Sequence, residues 1–269
     1  MVQNKDYSQD AKKYGCTGSS TMPDMNVRRL EIENLLKYIN DGDDCLEAGC
    51  GNGYASVRIS EQKEINLQSF DFTGEMIEQA KQQDISKIKG NIEFSHQDIL
   101  NIEFTQKFDT VFSIRCIINL LEWKLQKTAL SNLAMYVKDG GKLVLLEAFL
   151  DGLNELNEAR EEFNQEPIKS QPFNLHFDKE KVTTHLSGIG FELEKEDNFL
   201  SSYYYHTRVL YPALSQALGL KLKFNSKFDS FFSHAEPQGN FSHIKILVFR
   251  KKIPSCPDCD LFHPRGRCQ

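Results

Sequence analysis

Residues 44–54 read Asp44-Cys45-Leu46-Glu47-Ala48-Gly49-Cys50-Gly51-Asn52-Gly53-Tyr54. The first five form a short, mostly apolar strand, and the glycines make a turn that opens a helix running to about Ser60. Glycine tolerates positive φ and carries no Cβ, so the backbone there can come close to a ligand at a helix N-terminus. A dinucleotide fingerprint would read G-x-G-x-x-G. Here the third glycine stands one position early, at Gly53, and Tyr54 follows it. By itself the turn also fits a plain strand-to-helix connection, so the reading depends on the residues around it.

Outward from that turn, strands are expected at 65–72, 92–96, 108–114 and 142–147, and helices at 24–39, 74–83 and 121–137. Strand and helix alternate, which implies a mainly parallel sheet covered on both faces. In such folds ligands sit at the carboxyl ends of the strands. The second half reads as a helix at 178–186, a strand at 191–199, an aromatic-rich stretch at 200–240 and an alternating strand at 241–249. Residues 1–20 are polar and are expected to be poorly ordered.

Two acidic residues turn the glycine loop into a constellation. Asp71 ends the second strand, where a carboxylate can accept from two ribose hydroxyls. Asp98 follows the third strand, where it can accept from an adenine amine. Taken singly, each is as readily a helix cap or a solvated loop residue.

The segments 47–53, 71–76 (Asp71-Phe72-Thr73-Gly74-Glu75-Met76), 96–99 and 108–115 resemble motifs I to IV of class I S-adenosylmethionine-dependent methyltransferases. Lys138-Asp139-Gly140-Gly141 is similar to the family's K-P-G-G turn, with Asp139 in place of proline. The resemblance covers roughly residues 25–150. It implies an α/β fold, a Rossmann-like seven-stranded mainly parallel sheet, with an N-terminal helical lid (1–40) and an inserted substrate cap (200–240). On that reading one domain spans 1–252, followed by a Cys/His-rich tail at 253–269.

The resemblance also implies roles. Gly49 and Gly51 would lie against the methionine part of S-adenosylmethionine, Asp71 would hold the ribose, and Phe72 and Ile99 would sandwich the adenine. Asp98 would bind the adenine amine, with Glu47 and Met76 completing the cofactor wall. Arg28 or Arg29 on the lid helix, and Arg115, are candidates to pair with the cofactor carboxylate, against a solvated helix face or a structural ion pair.

Methyl transfer from a sulfonium is an in-line displacement with a neutral leaving group, so alignment dominates and no triad is expected. A base is needed only where the nucleophile is a high-pKa group. His176 is the candidate base, with Arg115 and Tyr204 as further catalytic candidates. Asn119, Glu147, His176, Tyr204 and Arg208 are the candidate acceptor residues. For His176 a hydrogen-bonded structural histidine is the bland reading, and for the aromatics of 200–232 it is core packing.

Residues 113–120 and 154–158 are similar to bacterial methyltransferases associated with surface polysaccharide loci, which implies O-methylation of a small sugar-, nucleotide- or phosphate-bearing acceptor. The competing readings are an RNA or protein methyltransferase, a nicotinamide-dependent oxidoreductase, and a non-catalytic cofactor-binding subunit. The chain has 269 residues and a net charge of −6, which argues against a nucleic-acid partner. No apolar run reaches membrane-span length and no signal-peptide core stands at residues 1–20, so the expected compartment is the cytoplasm. Of seven cysteines, three cluster with a histidine in the tail. Cys256, Cys259, His263 and Cys268 supply four soft ligands for a structural zinc, against a tail of free thiols.

Overall fold

A computed structural model describes residues 5–20 and 22–254. The strand that begins the glycine segment, β1 (Asp44–Ala48), lies inside the sheet, which is why its residues after Asp44 are all buried. Parallel neighbours flank it on both sides, β2 (Asn66–Asp71) and β4 (Phe108–Ile114). Beyond them lie β3 (Asn91–His96), parallel to β2, and β5 (Val137–Ala148), parallel to β4. The far edge is built from β7 (Ile244–Lys251), antiparallel to both β5 and β6 (Phe191–Asp197). The order is β3-β2-β1-β4-β5-β7-β6, a seven-stranded mainly parallel sheet as expected.

Period-two alternation divides the strands between two cores. Phe112, Val144, Ile246 and Val248 face one side, packed with Val27, Ile32 and Leu35 of α2 (Met25–Leu35) and Ile59 of α3 (Tyr54–Gln62). Val111, Leu143, Leu145, Leu247 and Phe249 face the other. There they meet Leu130 and Leu133 of α5 (Trp123–Met135) and Val182 and Leu186 of α7 (Lys179–Gly188). Helix α4 (Gly74–Ala80) follows β2, and α6 (Leu150–Glu161) follows β5. The Asp139-Gly140-Gly141 turn is taken up as an irregularity inside β5, so that strand starts five residues earlier than the alternation at 142–147 suggested.

Two segments depart from expectation. Residues 7–14 form a helix, α1 (Tyr7–Tyr14), whose N-cap Asp6 accepts from the Ser8 amide. It has a single buried apolar residue, Ala11, so hydrophobic periodicity could not reveal it. Polar tertiary bonds hold the segment instead. Asn52 Nδ2 donates to the Gly15 and Thr17 carbonyls, and Gln83 Nε2 donates to the Cys16 carbonyl.

The aromatic-rich stretch is helical over 201–217: α8 (Ser201–Tyr204), a π-turn (Tyr205–Leu210) and α9 (Tyr211–Ala217). Pro212 has no N–H for the Arg208 carbonyl. That carbonyl accepts instead from Arg160 Nη1, and the Val209 carbonyl from Gln165 Nε2. A short helix, α10 (Lys227–Phe232), with a Ser226–Asp229 capping box, closes the segment.

Candidate active site

A cavity of about 1190 Å³ opens at the carboxyl ends of β1, β2 and β4. A pocket for one drug-sized ligand measures roughly 300–1,000 Å³, so this one has room for a cofactor and a small acceptor. Its floor is the glycine loop. Gly49 (φ 75°) and Gly51 (φ 54°) are in the left-handed region. A Cβ at Gly49 would stand 2.4 Å from Cys116 Sγ, so packing as well as φ forbids a side chain there. A Cβ at Gly51 would meet nothing within 4 Å and would project into open space, the condition for a ligand lying directly on backbone.

Asp71 lines the cavity beside that loop. Its Oδ2 accepts from the Gly51 amide and its Oδ1 from the Thr73 amide, both at 2.8 Å. A carboxylate offers about four acceptor sites, so each oxygen retains one. Burial raises the Asp71 pKa, opposed by those two amides. Phe72 follows and is 69% exposed, an unusual state for phenylalanine. Its carbonyl accepts from His96 Nε2 at 2.7 Å. Met76, Asp98 and Ile99 complete this end of the cavity. Asp98 Oδ1 accepts from the Leu100 amide, so the local turn occupies one oxygen and the aspartate still lines the cavity. An exposed aromatic face, an acidic residue with spare acceptor sites and an unobstructed glycine backbone fit an adenosine-type cofactor.

Glu47 also lines the cavity but is almost wholly buried. Its Oε2 accepts from Ser56 and Ser69 hydroxyls, tying α3 and β2 to β1. Burial pushes its pKa up to about 6, against the pull of those hydroxyls and of Arg28. Arg28 and Arg115, both on the cavity wall, are bridged by the fully buried Glu31. Glu31 Oε1 is 2.6 Å from Arg115 Nε, and its Oε2 is 3.7 Å from Arg28 Nη1. Burial and the neighbouring Arg115 draw the Arg28 pKa down to about 10. For Arg115 burial lowers the pKa, but Glu31 outweighs it and the net shift is upward. Arg115 has φ 50°, a strained conformation for so large a residue. Its backbone is fixed by its amide donating to the Leu146 carbonyl and its carbonyl accepting from Asn119 Nδ2. Arg29 instead faces outward and pairs with Glu33 at 2.7 Å.

His176 and His243 line the cavity on the β5–β7 side, with β1 and β4 between them and the end of β2 that carries Asp71. Their rings stack at 5.3 Å with 5° between planes, and His176 Nδ1 is 3.3 Å from Ser170 Oγ. Burial lowers the His176 pKa to about 4 and, with repulsion from His176, that of His243 to about 3. Both are neutral at physiological pH. His243 Nδ1 is buried without a hydrogen-bond partner among the described residues. Tyr7 stands nearby, its hydroxyl donating to Asn119 Oδ1 at 2.8 Å, and burial raises its pKa to about 12.

Because the folded-state pKa of His176 is depressed, the unfolded chain takes up a proton first as pH falls. Stability present above pH 6.5 is then lost toward about pH 4, by about 3 kcal/mol. Urea midpoints taken at pH 7 and near pH 4.5 should show that loss, reduced in His176→Asn. Equal pH slopes for the two proteins would contradict the assignment.

Three expected acceptor residues lie elsewhere. Glu147 is fully buried and not on the cavity wall. Its Oε1 accepts from Ser113 Oγ and the Cys116 and Ile117 amides, and its Oε2 from the Ile118 amide. It caps the turn after β4, where a helix-like N-terminus gathers donors that need an acceptor. Tyr204 is buried behind the wall against His243, and burial raises its pKa. Arg208 pairs with Asp24 at 2.6 Å and lies over the Tyr204 ring, which locks α2 to the 201–210 helix. Asn119 does line the cavity, with its amide committed to the Arg115 and Cys116 carbonyls and to Tyr7. Sequence reasoning did not single out Tyr7, Glu31 or His243. The first is isolated in a polar stretch, and the others acquire meaning only through partners distant in sequence.

Cys256, Cys259, His263 and Cys268 lie outside the described residues. Among the described residues no group of three or more His, Cys, Asp or Glu is placed to hold a metal. Among them, too, no helix is long and apolar enough to cross a membrane.

Residues 45–141 match the family described as "Methyltransferase domain". The chain is similar to O-methyltransferase rstn1 of Aspergillus nomiae, 27% identical over 123 residues that make up 45% of this chain and 53% of that protein. The chain spans about half the length of the curated relatives it matches. Among solved structures it is similar to magnesium protoporphyrin IX methyltransferase from Synechocystis PCC 6803 with bound S-adenosylhomocysteine. The TM-score is 0.58 at 14% identity, over 93% of this chain and 96% of that one. It is also similar to N-methyltransferase NodS from Bradyrhizobium japonicum WM9 in complex with S-adenosylhomocysteine, with TM-score 0.55 at 15% identity over 92% and 99%. At these identities the structural likeness is one of fold.

Proposed function

We propose that this chain, which carries a methyltransferase domain at residues 45–141 on the class I fold, transfers the methyl group of S-adenosylmethionine to an oxygen of a small acceptor. The observation that carries the proposal is one cavity with the open Gly51 backbone, Asp71 and the exposed Phe72 on the β1–β2 side and the neutral His176 on the β5–β7 side. When bound, S-adenosylmethionine supplies an electrophilic methyl group on a sulfonium centre. Gly49 and Gly51 would let backbone approach it, Asp71 would accept from the ribose hydroxyls, and Phe72 and Ile99 would face the adenine, with Asp98 toward its amine. Arg28 and Arg115, bridged by Glu31 on the cavity wall, would pair with the cofactor carboxylate. His176 takes the acceptor proton.

Oxygen as the methylated atom is supported by the O-methyltransferase names of the curated relatives. The acceptors to assay first are small hydroxyl compounds bearing a sugar, nucleotide or phosphate, including precursors of surface polysaccharide. The test begins with cofactor. S-adenosylhomocysteine should raise the Tm and NAD should not. Asp71→Ala should weaken S-adenosylhomocysteine binding roughly thirtyfold, the loss of about 2 kcal/mol for hydrogen bonds to a charged group. Stabilisation by NAD alone, or unchanged affinity in Asp71→Ala, would refute the reading.

A further inference from the structure

The segment after α9 is unusual for a surface. Leu214, Leu218, Leu220, Leu222, Phe224 and Phe231 are each half or more exposed. Residues 218–224 read Leu-Gly-Leu-Lys-Leu-Lys-Phe, every one of them exposed. Scattered exposed leucines are ordinary, but a contiguous run marks an interaction surface. Charge is equally uneven. In a chain of net charge −6, residues 200–235 carry Arg208, Lys221, Lys223 and Lys227 as cations and Asp229 as the one carboxylate. Asp229 is buried in its capping box. The three lysines are exposed and make no ion pair with a described residue.

We propose that this segment is a peripheral membrane-docking surface that seats on anionic lipid headgroups. Apolar side chains alternating with lysines match an interface whose upper layer is negative and whose lower layer is hydrocarbon. Residues 218–226 form no helix or strand, so they present no regular groove for a protein partner to complement. A bilayer needs no such complementarity. The surface also borders the cavity. Asn225 Nδ2 donates to the carbonyl of Pro23 and its Oδ1 accepts from the Met25 amide, and Pro23 and Met22 line the cavity. Docking therefore brings the N-terminal side of the cavity close to the bilayer. The absence of a spanning helix among the described residues is compatible with attachment from one side.

The test is flotation of the full chain with vesicles of equal parts phosphatidylcholine and phosphatidylserine, beside vesicles of phosphatidylcholine alone. Binding is expected to the anionic vesicles and to fall with added salt. Lys221→Glu with Lys223→Glu should weaken it roughly thirtyfold, and Leu220→Ser with Leu222→Ser roughly tenfold. All four positions are exposed, so folding and the thermal shift with S-adenosylhomocysteine should be unchanged. No binding to anionic vesicles at low salt would overturn the proposal. So would vesicle binding that survives both variants. Sedimentation velocity supplies a third refutation: a dimer dissolved by these substitutions, with no vesicle binding, would assign the face to a second copy of the chain. Vesicle binding requires neither cofactor nor acceptor, so its outcome is separate from that of the catalytic reading.

Discussion

His176→Asn is expected to lower kcat by roughly a hundredfold to a thousandfold, the usual contribution of a positioned base, while S-adenosylhomocysteine affinity stays as in the wild type. The separation follows from the cavity, which has His176 on the β5–β7 side and Asp71 and Phe72 at the end of β2. The depressed pKa, about 4, makes His176 a weak base at rest. That is sufficient where proton loss lags behind bond formation. As the oxygen–methyl bond forms, the hydroxyl becomes strongly acidic and a weak base can accept its proton. The pH profile carries the same signature. The acid limb of kcat/KM should lie near pH 4 rather than 6.5, because the imidazole is already unprotonated throughout that window. A merely structural His176 would change Tm and leave both kcat and the acid limb in place, and that result would remove it from the chemistry. The measurement is release of S-adenosylhomocysteine with whichever hydroxyl acceptor gives turnover in the wild type.

How far the sequence could be read follows from how local each signal is. The glycine loop, Asp71, Phe72 and Asp98 are adjacent to strand ends, so strand positions alone bring them to one edge of a parallel sheet. Alternating elements were enough to imply a mainly parallel sheet, whereas the order of its strands and the antiparallel β7 come from the structure. The acceptor end depended on contacts between segments far apart. His243 meets His176 across the sheet edge, and Tyr7 meets Asn119 through a helix whose anchors are side-chain amides rather than apolar residues. Arg208 and Tyr204 occupy a sequence rich in hydrogen-bonding groups, which made them resemble acceptor residues. In the structure Asp24 takes the guanidinium and the core takes the phenol. A charged residue after an apolar strand is equally ambiguous. Arg115 reaches the cavity, whereas Glu147, at the end of the neighbouring strand, turns inward.

Glu147 therefore yields a prediction opposite to that for a substrate residue. Glu147→Ala should reduce folding stability by about 4 kcal/mol, because it leaves three backbone amides and one hydroxyl buried without an acceptor, at roughly 1–3 kcal/mol for each unmet group before relaxation. Glu147→Gln should lose much less, about 1 kcal/mol, because its amide oxygen can still accept where Oε1 does. The turn it caps contains the strained Arg115 and the cavity-lining Cys116, so loss of the carboxylate also loosens the wall beneath Gly49. In Glu147→Gln, cofactor affinity and acceptor KM should both stay near wild type, because the turn keeps its acceptor and Glu147 touches neither ligand. Urea denaturation of the three proteins measures the first effect and steady-state kinetics the second. Full stability in Glu147→Ala together with a raised acceptor KM would return the residue to the acceptor site.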